Sequence, residues 1–241
     1  MKSLYLILDS IVFTGPLLLS FDKKVAFYTK FRYLVPAILC MMLIFIPIDS
    51  IFTYYGIWGF NPNYTLGIYS AYLPLEEWLF FPATHFAVIF IYECLNAYVK
   101  KDLPALAYKY ILITISLIGI VVLVFYPSQL YSSLKMGGAS VFTLLVLFIG
   151  KPKWLSRFTL CFLVSLIPFF IMNSILTGSL LAEPIVWYNP LHIFNIRLGT
   201  IPVEDIYYNL FMLLTTVCFY EWFKSWKNDP VIPPQSPKEH I

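Results

Sequence analysis

The sequence predicts an all-α integral membrane protein with about seven transmembrane helices. Of its 241 residues, 60% are hydrophobic and 12% are charged, whereas about 25% of the residues of a soluble domain are charged. Apolar runs of roughly 18–25 residues recur along the chain, and each is long enough to cross a hydrocarbon core about 30 Å thick as a helix. The runs are too long and too uniformly apolar for the strands of a membrane barrel. The lipid bilayer is therefore the expected surrounding of most of the chain.

The predicted helices follow one another along the chain. They lie near Leu4–Phe21, Leu34–Tyr55, Glu76–Val99, Tyr108–Tyr126, Ser132–Gly150, Phe158–Leu181 and Pro202–Phe223. The first run is interpreted as a helix rather than a secretion signal, because no small-residue cleavage site follows it before Lys23 and Lys24. The polar, proline-rich residues 227–241 offer too little apolar surface to fold alone, so we expect a disordered cytoplasmic tail.

Basic residues collect on one side of the predicted membrane. Taking the connections alternately, one side receives Lys23, Lys24, Lys30, Arg32, Lys100, Lys101, Lys109, Lys151, Lys153, Arg157, Lys224, Lys227 and Lys238. The other side keeps Lys2, Lys135 and Arg197. The positive-inside rule then predicts an outer N-terminus and a cytoplasmic C-terminus. Because topology accounts for the charge, no nucleic-acid partner is expected, and replacement of Lys135 by alanine on the sparse outer side is expected to be nearly silent.

The chain contains an internal repeat. One constant offset in residue number aligns Asn61-Pro62 with Asn189-Pro190, Pro74-Leu75-Glu76-Glu77 with Pro202-Val203-Glu204-Asp205, and Tyr92-Glu93 with Tyr220-Glu221. A slightly smaller offset aligns Asp49-Ser50-Ile51 with Asn173-Ser174-Ile175. The loops between these segments therefore differ by four residues.

The repeat unit contains three helices. Residues 1–100 form the first unit, 101–130 a connector helix, and 131–226 the second unit. Corresponding helices are four spans apart and run in the same direction, which predicts parallel repeats related by an axis along the membrane normal. Both Pro-x-Glu-acid motifs then begin on the outer side. Glu93 and Glu221, 17 residues further along, would lie about 25 Å away near the cytoplasmic ends.

The paired acids Glu76, Glu77, Glu204 and Asp205 are the strongest candidates for chemistry. Proline in the first turn places them among free backbone N–H groups at a helix N-terminus, so capping is the plainer interpretation. Four carboxyl groups in a membrane are costly, however, and are functional candidates by default. In an apolar chamber, a neutral acid can donate a proton and an ionised neighbour can stabilise a cation. Replacement of Glu76 or Glu204 by glutamine, which removes the transferable proton, is expected to abolish or sharply reduce activity while the protein still inserts.

Further polar and aromatic residues are candidates for substrate binding. These are Asp49, its counterpart Asn173, the loop residues Asn61 and Asn189, and Trp78 and Tyr207, which flank the acids. Most other aromatic rings near the motifs are expected in an interfacial belt at headgroup level. His85 could assist proton transfer, although a single histidine is more often structural. Each cysteine lies alone in an apolar run, so no metal site is predicted.

The doubled motif, each copy preceded by an Asn-Pro loop, resembles the membrane lycopene cyclases of the heterodimeric bacterial type, in their fused single-chain form. The resemblance covers most of residues 1–225. It implies that a carboxylic acid protonates the terminal double bond of lycopene, an internal double bond attacks the cation, and a base removes a proton, giving a β-ring with no net redox change. It also implies a carotenoid substrate taken from the bilayer, with other carotenoid-pathway enzymes as candidate partners. By motif match, Glu76, Glu77, Glu204 and Asp205 are its acids and bases.

No cofactor is expected, because the chain lacks the Gly-x-Gly-x-x-Gly fingerprint of a bound flavin. Two alternatives remain open from the sequence: a cyclase of another membrane isoprenoid, and a small-solute transporter with the same order of three, one and three helices. A retinal photoreceptor is disfavoured, because the last helix contains no lysine before Lys224 at its end. A prenyltransferase would need aspartate-rich clusters for magnesium diphosphate, which the sequence lacks.

Overall fold

The computed structural model describes residues 2–226. This part of the chain contains seven α-helices: α1 (Leu4–Leu19), α2 (Phe31–Tyr54), α3 (Leu75–Tyr98), α4 (Ala105–Phe125), α5 (Leu130–Leu145), α6 (Leu155–Leu176) and α7 (Val203–Trp226). A 3₁₀ helix, Phe27–Lys30, precedes α2, and a π-helical turn, Val146–Gly150, follows α5. The prediction of an all-helical architecture with seven helices is therefore confirmed. The predicted disordered tail, residues 227–241, lies outside the described residues.

The composition of the helices identifies a membrane protein. Five of the helices in residues 2–226 are long and apolar enough to cross a bilayer, namely those ending at Tyr54, Tyr98, Phe125, Gly150 and Leu176. Large apolar side chains point outward from them, such as Leu43 at 77% exposure and Ile149 at 76%. The helix α1 is apolar but only 16 residues long, and α7 carries two acids in its first turn. Seven spans therefore remain a prediction.

Two long loops lie at one end of the bundle, which we call the loop end. Loop 55–74 joins α2 to α3, and loop 177–202 joins α6 to α7. Their short strands β1 (Trp58–Phe60) and β4 (Val186–Tyr188) pair antiparallel, with Gly59 opposite Trp187. A Cβ atom on Gly59 would lie 2.5 Å from the Trp187 ring, so only glycine allows this close approach.

Contacts at the loop end recur at equivalent positions of the two predicted repeat units. The amide of Asn61 donates to the carbonyl of Ile185 at 2.8 Å, and the amide of Asn189 donates to the carbonyl of Ile57 at 2.9 Å. Hairpins of matching register precede α3 and α7: β2 (Tyr69–Ser70) with β3 (Leu73–Pro74), and β5 (Arg197–Leu198) with β6 (Ile201–Pro202). The two acid motifs therefore start their helices from equivalent hairpins.

The first helix of each predicted unit is fastened to these loops. The amide of Tyr5 donates to the carbonyl of Tyr64 at 3.3 Å, and the amide of Tyr131 donates to the carbonyl of His192 at 3.1 Å. The starts of α1 and α5 consequently lie beside the starts of α3 and α7. This arrangement brings hydroxyl groups from one pair of helices to carboxyl groups of the other.

Ion pairs organise the opposite end of the bundle. The guanidinium of Arg157 lies 2.6 Å from Asp102 and donates to the carbonyls of residues 95 and 99, near the C-terminal end of α3. Lys224 lies 3.3 Å from Glu93 and 3.0 Å from Glu221. These two acids therefore lie far from the paired motifs, as their spacing along the helices requires, and have a local partner.

Candidate active site

A cavity of about 520 Å³ lies inside the bundle below the loop end. Residues of α1, α3, α6 and α7 form most of its wall, and the exposed lining is predominantly apolar. Glu77 and Asp205, the second acids of the two motifs, both reach it. An apolar pocket with a few convergent polar groups is the usual form of a small-molecule site. The cavity is therefore the candidate active site.

The first acids of the two motifs hold the loops. Glu76 and Glu204 are fully buried and do not line the cavity. Glu76 Oε1 accepts the amide of Leu66 at 2.7 Å, and Glu204 Oε1 accepts the amide of Phe194 at 2.8 Å. Ser132 also donates to Glu204 Oε1, at 2.5 Å. The four acids that the sequence presents as equivalent candidates thus divide into two loop-binding residues and two cavity-lining residues.

Glu77 is buried between α3 and α1. The hydroxyl of Tyr5 donates to Glu77 Oε2 at 2.5 Å. One neutral donor and a mostly apolar surrounding give little stabilisation to a carboxylate, which favours the protonated acid.

Asp205 has a richer set of donors than Glu77. The hydroxyl of Tyr131 donates to Oδ1 at 3.0 Å, and Oδ2 accepts the amide group of Asn173 at 2.9 Å and the hydroxyl of Tyr188 at 2.7 Å. Three hydrogen bonds to one carboxyl group stabilise its charged form. Asp205 is therefore much better suited than Glu77 to hold a negative charge in this cavity.

The inequality of the two acids follows from the sequence of the two halves. Each acid receives a tyrosine hydroxyl from the first helix of its own unit, as described above. In the alignment that pairs Asn61 with Asn189, Tyr188 corresponds to Phe60, which has no hydroxyl. Asn173 corresponds to Asp49, which cannot donate when ionised. The second unit thus supplies two donors that the first unit lacks.

The position of Lys135 in the structure corrects the sequence-based expectation of a lysine on the outer surface. Lys135 lies in the core at 3% exposure, not on a sparsely charged outer surface, and its Nζ is 2.7 Å from Asp49 Oδ1. The same Nζ lies 3.1 Å from the centre of the Tyr208 ring, and the Tyr208 hydroxyl donates to Asp49. Tyr208 also lines the cavity. A positional charge count could not reveal this pairing, because the two partners are 86 residues apart.

Only some of the predicted substrate-binding residues line the cavity. Asn173 lines the cavity, whereas Asp49 lies beside it in the Lys135 ion pair. Asn61 and Asn189 fold their own loops by accepting the amides of residues 63 and 191, both at 3.0 Å. Trp78 donates to the carbonyl of residue 70, and Tyr207 to that of residue 115. Asn61, Asn189, Trp78 and Tyr207 are absent from the described cavity lining.

His85 does line the cavity, two helical turns beyond Glu77. Its Nδ1 lies 2.7 Å from the carbonyl of Phe81, which can only accept, so Nδ1 carries the hydrogen. Nε2 is then the ring's acceptor, and it is buried without a hydrogen-bond partner within residues 2–226. His85 therefore presents an unpartnered ring nitrogen in the cavity wall, further from the loop end than Glu77.

Aromatic rings surround the two acids. Tyr5, Trp58, Phe80, Tyr131, Phe169, Tyr188 and Tyr208 all line the cavity. Sequence reasoning did not single out Tyr5 or Tyr131, and it placed most of the rings near the motifs in an interfacial belt. A Leu-Tyr pair recurs at residues 4–5 and 130–131, and this repeat could have indicated the two equivalent donors.

Three comparisons relate the chain to known proteins. A family model described as lycopene cyclase matches residues 2–95 and 128–223. These two segments cover nearly all of the two predicted repeat units and leave out the whole of α4. No curated protein and no solved structure matches the chain significantly.

Proposed function

The chain belongs to the lycopene cyclase family, and we propose from this premise that it converts the linear ends of lycopene into β-ionone rings, giving γ- and β-carotene. Membership supports a membrane enzyme of carotenoid biosynthesis with a carotenoid substrate. The observation that carries the specific reaction is the apolar cavity in which Glu77 and Asp205 converge. A polyene offers no polar group to bind, so an apolar wall with a few charged groups fits such a substrate.

The proposed reaction is an isomerisation in three steps. A carboxylic acid transfers its proton to the terminal double bond of lycopene, leaving a carbocation. The π-electrons of an internal double bond attack this cation and close the six-membered ring, which moves the positive charge into the ring. A base then removes one ring proton and the β-ring double bond forms. One proton enters and one leaves, so the reaction needs no oxidant or reductant.

We assign Glu77 as the proton donor. It combines a place in the cavity wall with a single hydrogen bond, from Tyr5, so its neutral form is favoured and its proton is transferable. Asp205 is assigned as the resident anion. Its carboxylate stabilises the carbocation electrostatically without reorganisation, because Tyr131, Asn173 and Tyr188 already hold it in place.

The aromatic wall supports the same chemistry. Ring faces attract a cation, and this attraction strengthens where water is excluded. Trp58 is 5% exposed, and its ring stacks 6.3 Å from that of Tyr188, next to Asp205. The proton returns to a carboxylate or to the neutral Nε2 of His85, and a dry cavity prevents capture of the cation by water.

The repeat organisation belongs to the same proposal. Residues 1–100 and 131–226 are two three-helix units in parallel orientation, with residues 101–130 as connector, and each unit supplies one cavity acid. Equivalent contacts at the loop end support this arrangement, since β1 pairs with β4 and the amides of Asn61 and Asn189 each bond the opposite loop. The loop end faces outward, and the N-terminus lies on that side of a bacterial inner membrane.

The proposed function is tested by expressing the full chain in a bacterium that accumulates lycopene. Chromatography of the extracted pigments should show γ- and β-carotene from the wild type and unchanged lycopene from a Glu77→Gln, Asp205→Asn double variant of equal abundance. Unchanged lycopene from well-inserted wild-type protein would refute lycopene cyclisation and direct the search to other isoprenoids. A carrier is disfavoured by the predominantly apolar lining.

A further inference from the structure

The cavity opens through the side of the bundle, between α1 and α6. Ile11 of α1 and Ile171 of α6 both line it and are 66% and 64% exposed. Apolar side chains exposed on the flank of a membrane bundle face lipid tails. The route from the bilayer to Glu77 and Asp205 therefore runs between these two helices.

A second, smaller cavity of about 290 Å³ lies between α2 and α5. Six of the eight residues described in its lining are counterparts of residues in the first cavity. The alignment that pairs Asp49 with Asn173 matches α2 to α6, so that Phe45, Ile48, Ile51 and Phe52 correspond to Phe169, Met172, Ile175 and Leu176. The alignment that pairs Tyr131 with Tyr5 matches Leu134 to Leu8, and the alignment that pairs Asp205 with Glu77 matches Tyr208 to Phe80. Ile51 and Leu134 at its mouth are 53% and 50% exposed. The two cavities are therefore equivalent side openings of the two repeat units.

The second opening ends at a buried ion pair. Lys135 and Asp49 join α5 to α2 at 2.7 Å, with side-chain exposures of 3% and 0%. Lys135 lines the small cavity, which does not reach Glu77 or Asp205. Breaking a buried pair leaves an unpaired charge in an apolar surrounding, which is strongly unfavourable. The pair therefore closes this route.

The first opening has no equivalent closure. In the same alignments, the positions that match Lys135 and Asp49 are Asp9 and Asn173. Asn173 donates to Asp205, and neither oxygen of Asp9 has a hydrogen-bond partner within the part of the chain that the structure describes. No cation stands at position 9 to bridge the helices. One difference between the repeats thus leaves one opening clear and closes the other.

We propose that one end of the linear carotenoid enters from the bilayer between α1 and α6, and that the Lys135–Asp49 ion pair closes the equivalent entrance between α2 and α5. The proposal rests on the proposed function for the identity of the substrate. According to this proposal, Glu77 and Asp205 both act on the same end of the carotenoid, one end at a time. The first opening fits an apolar polyene because its rim is aliphatic and its inner end carries both acids.

The internal repeat provides matched variants for the test. Leu8→Trp and Ile175→Trp put a bulky ring in the α1–α6 opening, whereas Leu134→Trp and Ile51→Trp put the same ring at the equivalent positions of the α2–α5 opening. Each variant is purified from lycopene-accumulating cells into lipid nanodiscs after its abundance and monodispersity are checked. Turnover of lycopene and the pigment retained per protein are measured separately.

We expect Leu8→Trp and Ile175→Trp to lower both turnover and retained lycopene about ten-fold, and Leu134→Trp and Ile51→Trp to leave both unchanged. An equal loss in the two sets would overturn the single entrance, and so would full activity of both α1–α6 variants. If the wild type retains lycopene without cyclising it, and only the two α1–α6 variants lose the retained lycopene, the proposed function is refuted and the entrance is supported. Wild-type protein that neither retains nor cyclises lycopene would overturn both.

Discussion

The hydroxyl of Tyr188 donates a 2.7 Å hydrogen bond to the carboxylate of Asp205. The counterpart of Tyr188 in the first repeat unit is Phe60, whose ring has no group to offer Glu77. Two related helix starts thus present carboxyl groups in unequal surroundings. The proposed reaction needs both a proton donor and an anion in one cavity, and this inequality is the reason for assigning those tasks to Glu77 and Asp205 respectively.

Tyr188→Phe should lower lycopene turnover by at least about ten-fold, because a hydrogen bond to a charged group contributes about 1.5–3 kcal/mol and each ~1.4 kcal/mol corresponds to about ten-fold in rate. The ring remains, so its stacking on Trp58 is kept. The measurement is turnover in nanodiscs beside the thermal unfolding temperature. Tyr207→Phe is the matched control, since Tyr207 lies outside the cavity and donates to the carbonyl of Ile115. A loss of stability equal in the two variants, with equal turnover, would contradict a role of Tyr188 through Asp205.

Glu77→Gln should abolish turnover, because glutamine keeps the shape of the side chain but has no transferable proton. Glu76→Gln is the neighbouring control. Its carbonyl can still accept the amide of Leu66, so turnover should stay within a few-fold of wild type. The measurement is γ- and β-carotene formed per protein at equal abundance. If Glu76→Gln is inactive and Glu77→Gln is not, the assignment of the donor is wrong.

The paired variants also mark what the sequence could and could not predict. The seven helices follow from apolar length alone, and the repeat follows from rare residues at a fixed offset. The different roles of Glu76 and Glu77 do not follow from the sequence. Adjacent residues at a helix start point in different directions, and only the hairpin before α3 fixes which of them faces the cavity. The sequence-based expectation that loss of the Glu76 proton abolishes turnover is therefore transferred to Glu77.

Lys135 shows the same limit at longer range. Its charge could be counted for topology, but its partner Asp49 is on another helix and in the other repeat unit. Only the packing of α5 against α2 decides whether such a lysine faces headgroups or a carboxylate. The asymmetry that carries the entrance proposal was visible in the sequence as Asp49 against Asn173, without its structural meaning.

Lys135→Ala should destabilise the protein by about 3–5 kcal/mol, because Asp49 would remain buried without its cationic partner. The double variant Lys135→Met, Asp49→Leu should be closer to wild type, since it removes both charges and fills the space. Thermal unfolding in nanodiscs compares the three proteins. Nearly silent behaviour of Lys135→Ala, as its sequence position suggested, would contradict the buried ion pair.

Gly59→Ala should destabilise the pairing of the two loops by roughly 1–3 kcal/mol, because the added methyl group would overlap the Trp187 ring. Turnover should fall as well, since these strands carry Trp58 and Tyr188 to the cavity. Gly15→Ala in α1 is the control. A Cβ there meets nothing within 4 Å, and alanine favours a helix interior. Equal unfolding temperatures for the two variants would argue against the close approach.

The order in which products form tests the single cavity. If one entrance serves both acids, each passage through the cavity closes one ring, and the second ring requires release and renewed entrance of the other end. Isotopically labelled lycopene, chased with excess unlabelled lycopene after brief turnover, should therefore leave labelled γ-carotene that is not converted further. Leu134→Trp should give the same pattern as the wild type, because it changes only the closed opening. Labelled β-carotene without labelled γ-carotene would mean that both ends are cyclised before release. This result would contradict the proposal, because a single entrance with both acids acting on one end requires the carotenoid to leave before its other end can react.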